Sequence, residues 1–208
     1  MVLDVYYFKM MLLSSCDILE ENLESLSEID SKFGDGDHGI TMGKITKTIR
    51  AVIGGWPECG LRQMLETIGS EVIEDNSGSA GILWGSFFQG LSEAMEEQEE
   101  IDDDLLKDML LAALINMQMV TPARLGDKTM MDVLIPVVNG SRACLGLMKE
   151  VLEAIESSAA KGAERTKNYP AKFGKAGKYG DQAIGYIDPG ALGMSLFFQG
   201  WNNVVFDY

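Results

Sequence analysis

The sequence predicts an all-α protein, and three observations carry that prediction. Apolar residues recur at helical spacing, alternating strand patterns are missing, and no Asn-Gly or Asp-Gly turn joins two β-branched runs. The chain has 208 residues and a mass of 22.8 kDa, so a single domain spanning 1–208 is expected. A chain of this length buries about 70 % of its unfolded surface and needs no disulfide or metal to hold a core. Thirty-two acidic residues against seventeen basic ones give a formal charge of −15. That balance repels a phosphate backbone and excludes a nucleic-acid binder of the basic-patch kind. Any phosphate handled by so acidic a chain needs cations to screen it. Cys16, Cys59 and Cys144 are odd in number and form no CxxC pair, so they read as reduced thiols. No apolar run is long enough to cross a bilayer. Asp4 and Lys9 interrupt the apolar start, which therefore does not read as a signal peptide. The expectation is a soluble cytoplasmic protein with no membrane partner.

Eight helices are expected, in order over 5–28, 40–53, 60–75, 80–99, 103–120, 129–146, 148–166 and 190–205. In the third, Leu61, Met64, Leu65, Ile68 and Val72 form one stripe, and in the seventh Met148, Val151, Leu152 and Ile155 form another. A turn of glycines and aspartates opens the second helix. Small residues and hydroxyls at Ser77, Gly78, Ser79 and Ala80 open the fourth, Thr129 caps the sixth, and Asp188-Pro189-Gly190 precedes the last. Residues 93–104, EAMEEQEEIDDD, hold eight acids in twelve positions and read as a solvated helix end, since nothing fixes their geometry. From Lys161 to Lys178 the balance inverts, to six basic residues against Glu164. The KFGKAGKYG segment there reads equally as an anion-holding loop or a solvated linker.

The chemistry concentrates in DSKFGDGDHGITM, residues 30–42. Gly34, Gly36 and Gly39 satisfy GxGxxG, but no strand precedes them and no βαβ unit follows, so the dinucleotide-binding reading fails. A P-loop fails because His38 and Ile45 stand where Gly and Ser or Thr belong, and an EF-hand fails because Thr46 stands at its twelfth position. Three carboxylates, Asp30, Asp35 and Asp37, remain on one tight turn. Hard oxygen ligands at that density suit Mg²⁺, which takes its remaining ligands from water and substrate phosphates. The helix start at Gly39 to Thr41 offers free N–H groups to a phosphate. His38, the one histidine, is open to four roles: general base, phosphate donor, phosphoryl carrier or plain cap. Near Leu125, the segment GDKTMMD offers Lys128 as a phosphate partner or as an ordinary charge in a capped helix.

The blocks GDGDHGITM, SGSAGILWG, GDKTMMD and GKAGKYGDQAIGYIDPGA, in this order, resemble the L (nucleotide-binding) subunit of dihydroxyacetone kinases from about Asp30 onward. The resemblance implies a closed barrel of eight antiparallel helices with a nucleotide site at one end. It implies that Asp30, Asp35 and Asp37 hold two Mg²⁺ ions bridging the phosphates of ADP or ATP. Positions His38, Gly39, Ile40, Thr41, Ser79, Ala80, Met130, Lys175, Asp188, Pro189 and Gly190 match those that line the nucleotide in that family. The implied catalytic set is Asp30, Asp35, Asp37 and His38. The implied partners are a K subunit that binds dihydroxyacetone and a phosphohistidine donor, the M subunit of the phosphotransferase system; a homodimer also fits. Lys175 stands where arginine is usual, and Thr121-Pro122 replaces a glycine-rich contact. An L-like subunit using exchangeable ATP on another small ketose or polyol, and a non-catalytic ADP-binding regulatory module, are the rival readings.

Overall fold

A computed structural model describes residues 2–55, 60–76, 78–96, 98 and 100–204. Helix α1 (Val5–Glu21) begins at Asp4, whose carboxylate accepts the Tyr7 N–H at 2.8 Å. Just before it, β1 (Leu3–Asp4) pairs antiparallel with β2 (Glu100–Ile101), burying Leu3 against the core. The helix expected over 5–28 stops early. At Asn22 the side-chain amide donates to Ile18 O at 2.8 Å, offering the backbone an alternative to the next helical turn. The chain restarts as α2 (Leu23–Asp30).

There follow α3 (His38–Gly55), α4 (Leu61–Asp75), α5 (Ser79–Glu93), α6 (Asp103–Val120), α7 (Met131–Ala143), α8 (Met148–Arg165) and α9 (Pro189–Asn202). The described residues thus hold nine α-helices where eight were expected, because the first is split. The fourth expected helix also ends sooner, at Glu93, beyond which residues 97 and 99 lie outside the described residues. So do Cys59, Ser77 and the end of the last expected helix at 205. Among the described residues no helix is long and apolar enough to cross a membrane.

Neighbour contacts run α1–α3, α3–α4, α4–α5, α5–α6, α6–α7, α7–α8, α8–α9 and back to α1, with α2 also packed on α3 and α9. The ring closes, and α1 with α2 forms a single stave, so the eight-stave barrel is realised by nine helices. Each hand-over reverses direction. The C-terminal ends of α2, α4, α6 and α8 therefore gather with the N-terminal ends of α3, α5, α7 and α9 at one end.

Aromatic rings fill the interior. Phe8, Trp84, Phe87, Phe88, Phe197, Phe198 and Trp201 are all buried, most in edge-to-face pairs with centroids 5.1–6.3 Å apart. The seam between α1 and α9 is close: a Cβ on Gly200 would run into the backbone of Ser15, and Ser15 Oγ donates to Phe197 O at 2.7 Å. Cys16 faces the same interior, and burial pushes its thiol up to about 12, outweighing the lowering by Arg50. The thiolate is the reactive form. Cys16 is therefore expected to resist a thiol reagent at pH 8 in the native protein and to label once denaturant is added. Peptide mapping of the labelled chain checks this, and native-state labelling of Cys16 would contradict the packing.

Candidate functional site

The aspartate turn is folded by its own backbone. Asp30 ends α2 and turns its carboxylate over the following loop, accepting the Gly36 N–H at 2.9 Å. Gly36 sits at φ +75°, a conformation that costs an L-residue energy, and a Cβ on Gly34 would strike the Asp30 carboxylate. Two N–H groups at the start of α3 that were expected to be free for a phosphate are taken within the fold: Gly39 N–H donates to Ser27 Oγ of α2 at 3.1 Å and Thr41 N–H to the Asp37 carbonyl at 2.9 Å. These contacts draw Asp30, Asp35 and Asp37 together, with one carboxylate oxygen from each within 4.8 Å of the others. Asp30 is half-buried, and Asp35 and Asp37 are exposed. The donor set is all hard oxygen, which fits Mg²⁺.

His38 follows directly. Burial lowers its pKa, outweighing the opposing pulls of Asp30 and the Pro189 backbone. Its Nε2 is buried, with no hydrogen-bond partner among the described residues, at the wall formed by Gly193.

The chain from Thr166 to Ile187 crosses this end as a strap of short 3₁₀ turns. Lys172 Nζ donates to Asp127 at 2.5 Å, and the Lys172 N–H donates to the Asp127 carbonyl at 3.3 Å. Burial of Asp127 raises its carboxyl pKa, but Lys172 and the Arg124 N–H more than offset that. Phe33, from the aspartate turn, takes the rings of Tyr179 and Tyr186 edge-on at 5.3 and 5.2 Å, and Lys32 lies 4.8 Å over Tyr186. Lys175 reaches down from the strap to contact Asp35, 4.0 Å from Asp37.

Lys128 departs from the phosphate-partner reading. It is buried in a left-handed conformation (φ 61°), and its ammonium donates to the carbonyls of Thr166 and Tyr186. Burial lowers its pKa, against the attraction of Asp188 and Asp132. It pins the strap to the loop before α7. Asp132, in the first turn of α7, accepts the N–H groups of Gly126 at 2.5 Å and Thr129 at 2.8 Å and so holds the preceding loop, while the Thr129 hydroxyl accepts the Met131 N–H that opens α7 at 3.2 Å, the capping contact expected of it. Asp188 caps α9 by accepting the Ala191 N–H at 2.8 Å; burial pushes its carboxyl up to about 7, opposed by that hydrogen bond and by Lys128. At α5 the N-cap position is Gly78 (φ +113°), which has no side chain, so among the described residues no side chain caps the first N–H groups.

These parts enclose a cleft with two lobes, of about 440 and 280 Å³. Asp30, Asp35, Asp37, Thr41, Lys175 and Pro189 line the larger lobe, and Met130 and Gly190 the smaller. His38, Ser79, Ala80 and Asp188 line both. Gly39 and Ile40 line neither. Gly39 is buried against α2, and Ile40 points outward with 64 % exposure. The smaller lobe adds Leu83, Trp84 and Ala123, an apolar wall suited to a flat ring, and Phe173 and Gly174 join the lobes from the strap. Leu83 and Trp84 lay inside the SGSAGILWG block without being marked as site residues, and Ala123, in the irregular segment after α6, carried no signal in the sequence. Lys178, which also lines the larger lobe, was visible only as part of the basic inversion.

The chain is similar along most of its length to known proteins. The model of the DAK2 domain matches residues 32–203. The chain is 32 % identical over 180 residues to the ADP-binding subunit DhaL of the PEP-dependent dihydroxyacetone kinase 1 of Listeria innocua serovar 6a, covering 86 % of each chain. It is 29 % identical over 186 residues to the corresponding subunit of Escherichia coli K12, covering 88 % of this chain and 89 % of that one. The crystal structure of the dihydroxyacetone kinase of C. freundii in complex with AMP-PNP and Mg²⁺ superposes with a TM-score of 0.74 at 25 % identity, covering 93 % of this chain. This chain spans 33 % of that longer one.

Proposed function

Because the chain belongs to the DAK2 domain family, we propose that it is the nucleotide-binding subunit of a dihydroxyacetone kinase and acts as a single domain in the cytoplasm. It holds ADP or ATP with two Mg²⁺ ions and passes the terminal phosphoryl group to dihydroxyacetone held on a separate K subunit. The ADP left behind is rephosphorylated in place by a phosphohistidine protein of the phosphotransferase system, the M subunit. The observation that carries this reading is the meeting, in one cleft, of three convergent carboxylates and a helix start without a side-chain cap. The names of the relatives in Listeria and Escherichia, both ADP-binding subunits that match this chain along most of their length, support a separate-subunit arrangement.

Each residue then has a task. Asp30, Asp35 and Asp37 hold the metal. When bound, Mg²⁺ neutralises charge on the phosphoryl group in transfer. The N–H groups at Ser79 and Ala80 meet phosphate oxygens at the positive end of α5. The apolar wall of Leu83, Trp84 and Met130 takes the base. His38, whose charged form burial disfavours, lends shape to the cleft rather than charge, so catalysis rests on positioning and electrostatics. Buried as it is, Lys128 keeps the strap in register over the phosphates.

Purification without added nucleotide, then denaturation and quantification of released adenine nucleotide and magnesium, tests the reading. About one ADP and about two Mg²⁺ per chain are expected. A protein that carries no nucleotide and takes up none when titrated with ATP and Mg²⁺ would overturn it. Uptake of ATP without a captive ADP would instead mark an exchangeable cofactor.

A further inference from the structure

Lys175 stands among the aspartates. Its ammonium contacts Asp35 and lies 4.0 Å from Asp37, across 140 residues of sequence in the first pair. Three carboxylates with oxygens this close repel one another and are held together at a cost unless a cation lies among them. The strap is fixed on both sides of this lysine, by Lys172 on Asp127 and by Tyr179 and Tyr186 on Phe33. The Lys175 side chain itself is 59 % exposed, so its stem can turn while its backbone stays in place. Lys128, the other lysine held tightly at the cleft, is committed to two carbonyls and cannot serve the carboxylates.

We propose that Lys175 is an exchangeable counter-ion, whose ammonium neutralises the aspartate cluster until a divalent cation enters and then turns to the phosphates that arrive with that cation. The inference rests on the reading of the cleft as a metal–nucleotide site. A divalent cation and an ammonium cannot share the same carboxylate oxygens without repulsion, so metal entry drives the lysine out. Freed, it meets an anion in the same cleft. Lysine suits exchange because its charge is compact, sits on a flexible stem and grips a carboxylate through one point. An arginine fork would hold the carboxylate bidentately and release it less readily. Lys175 thus opposes metal alone and favours metal with nucleotide, so its removal changes the two affinities in opposite directions.

The test uses the full chain stripped of metal and nucleotide, with Mn²⁺ as the probe read by electron paramagnetic resonance. Lys175→Met is expected to bind Mn²⁺ alone about three- to tenfold more tightly than the unmutated chain, the modest size reflecting solvent screening of an exposed pair. The difference should shrink as salt is raised. The same variant is expected to bind ADP in the presence of Mg²⁺ about tenfold more weakly. Lys167→Met removes an equal charge from a lysine paired with Glu164 and should change neither affinity. On the unmutated chain, acylation of Lys175 followed by mass spectrometry should speed up as Mg²⁺ alone is added. Unchanged or weaker Mn²⁺ binding in Lys175→Met, or constant acylation, would overturn the counter-ion role while leaving the nucleotide reading in place. Failure of both chains to bind Mn²⁺, with or without ADP, would overturn the two together.

Discussion

Asp35→Asn is expected to weaken Mg²⁺-dependent binding of adenine nucleotide by on the order of 100-fold or more, the scale of a lost metal–carboxylate bond. Helical content and the unfolding midpoint are expected to stay at their unmutated values. The separation of the two effects follows from geometry. The Asp35 side chain is half-exposed, and among the described residues its carboxylate hydrogen-bonds only to Lys175, its other near groups being the like-charged Asp30 and Asp37, so no backbone hydrogen bond depends on it. Asparagine keeps its size and one oxygen but loses the charge. Asp30 would be a poorer choice, because its carboxylate also accepts the Gly36 N–H and packs over Gly34; changing it would move the turn as well as the metal. Calorimetric titration with ADP, with and without Mg²⁺, measures the first effect and circular dichroism the second. Full Mg²⁺-dependent binding by the variant would remove the metal assignment.

Phe197→Ala is expected to cost about 3–5 kcal/mol, the range for deleting a large aromatic from a packed core. For a domain of this size that lowers the melting temperature by roughly 6–20 °C. Phe197 is fully buried on α9 and meets Trp84, Phe87, Phe88, Phe198 and Trp201 with ring centroids 5.2–5.9 Å apart. Those partners come from two helices, α5 and α9, so the void opens where the barrel walls face each other. The backbone carbonyl of Phe197 also receives Ser15 Oγ, which ties α9 to α1 at the same level. Phe197→Leu should recover part of the loss, since it restores volume without the ring pairs. Urea unfolding of the three chains measures the series, and a loss below about 1 kcal/mol for the alanine variant would mean that the core relaxes around the gap.

The barrel was legible where burial imposes a period. The stripes on α4 and α8 sit where Leu61, Ile68 and Val72, and Met148, Val151 and Ile155, are all fully buried. The aspartate turn was legible too, because glycines spaced among like charges leave few physical explanations. What escaped was decided by single side chains or by distant partners. One amide, that of Asn22, ends a helix whose apolar pattern continues past it. Two residues are too short a strand to show alternation, yet Leu3 and Ile101 pair. Lys128 looks like a phosphate ligand in GDKTMMD, and only the fold reveals that Thr166 and Tyr186, 38 and 58 residues away, claim its ammonium. Ile40 illustrates the reverse: it lies between cleft residues in sequence, but the helical turn carries it to the outer face.

The seam between α1 and α9 joins the first and last helices described, with Gly200 set against the backbone of Ser15. Hairpins such as α4–α5 and α7–α8 can form as soon as their two helices have left the ribosome, since their contacts are local. The seam cannot: α1 must wait with its apolar face open until α9 has been synthesised. At about 5–20 residues per second that wait lasts on the order of 10 seconds or more. The aspartate turn, early in the sequence, and the strap, late in it, can meet only once the strap has been synthesised. Synthesis therefore completes the cleft end late, after most of the helices that support it.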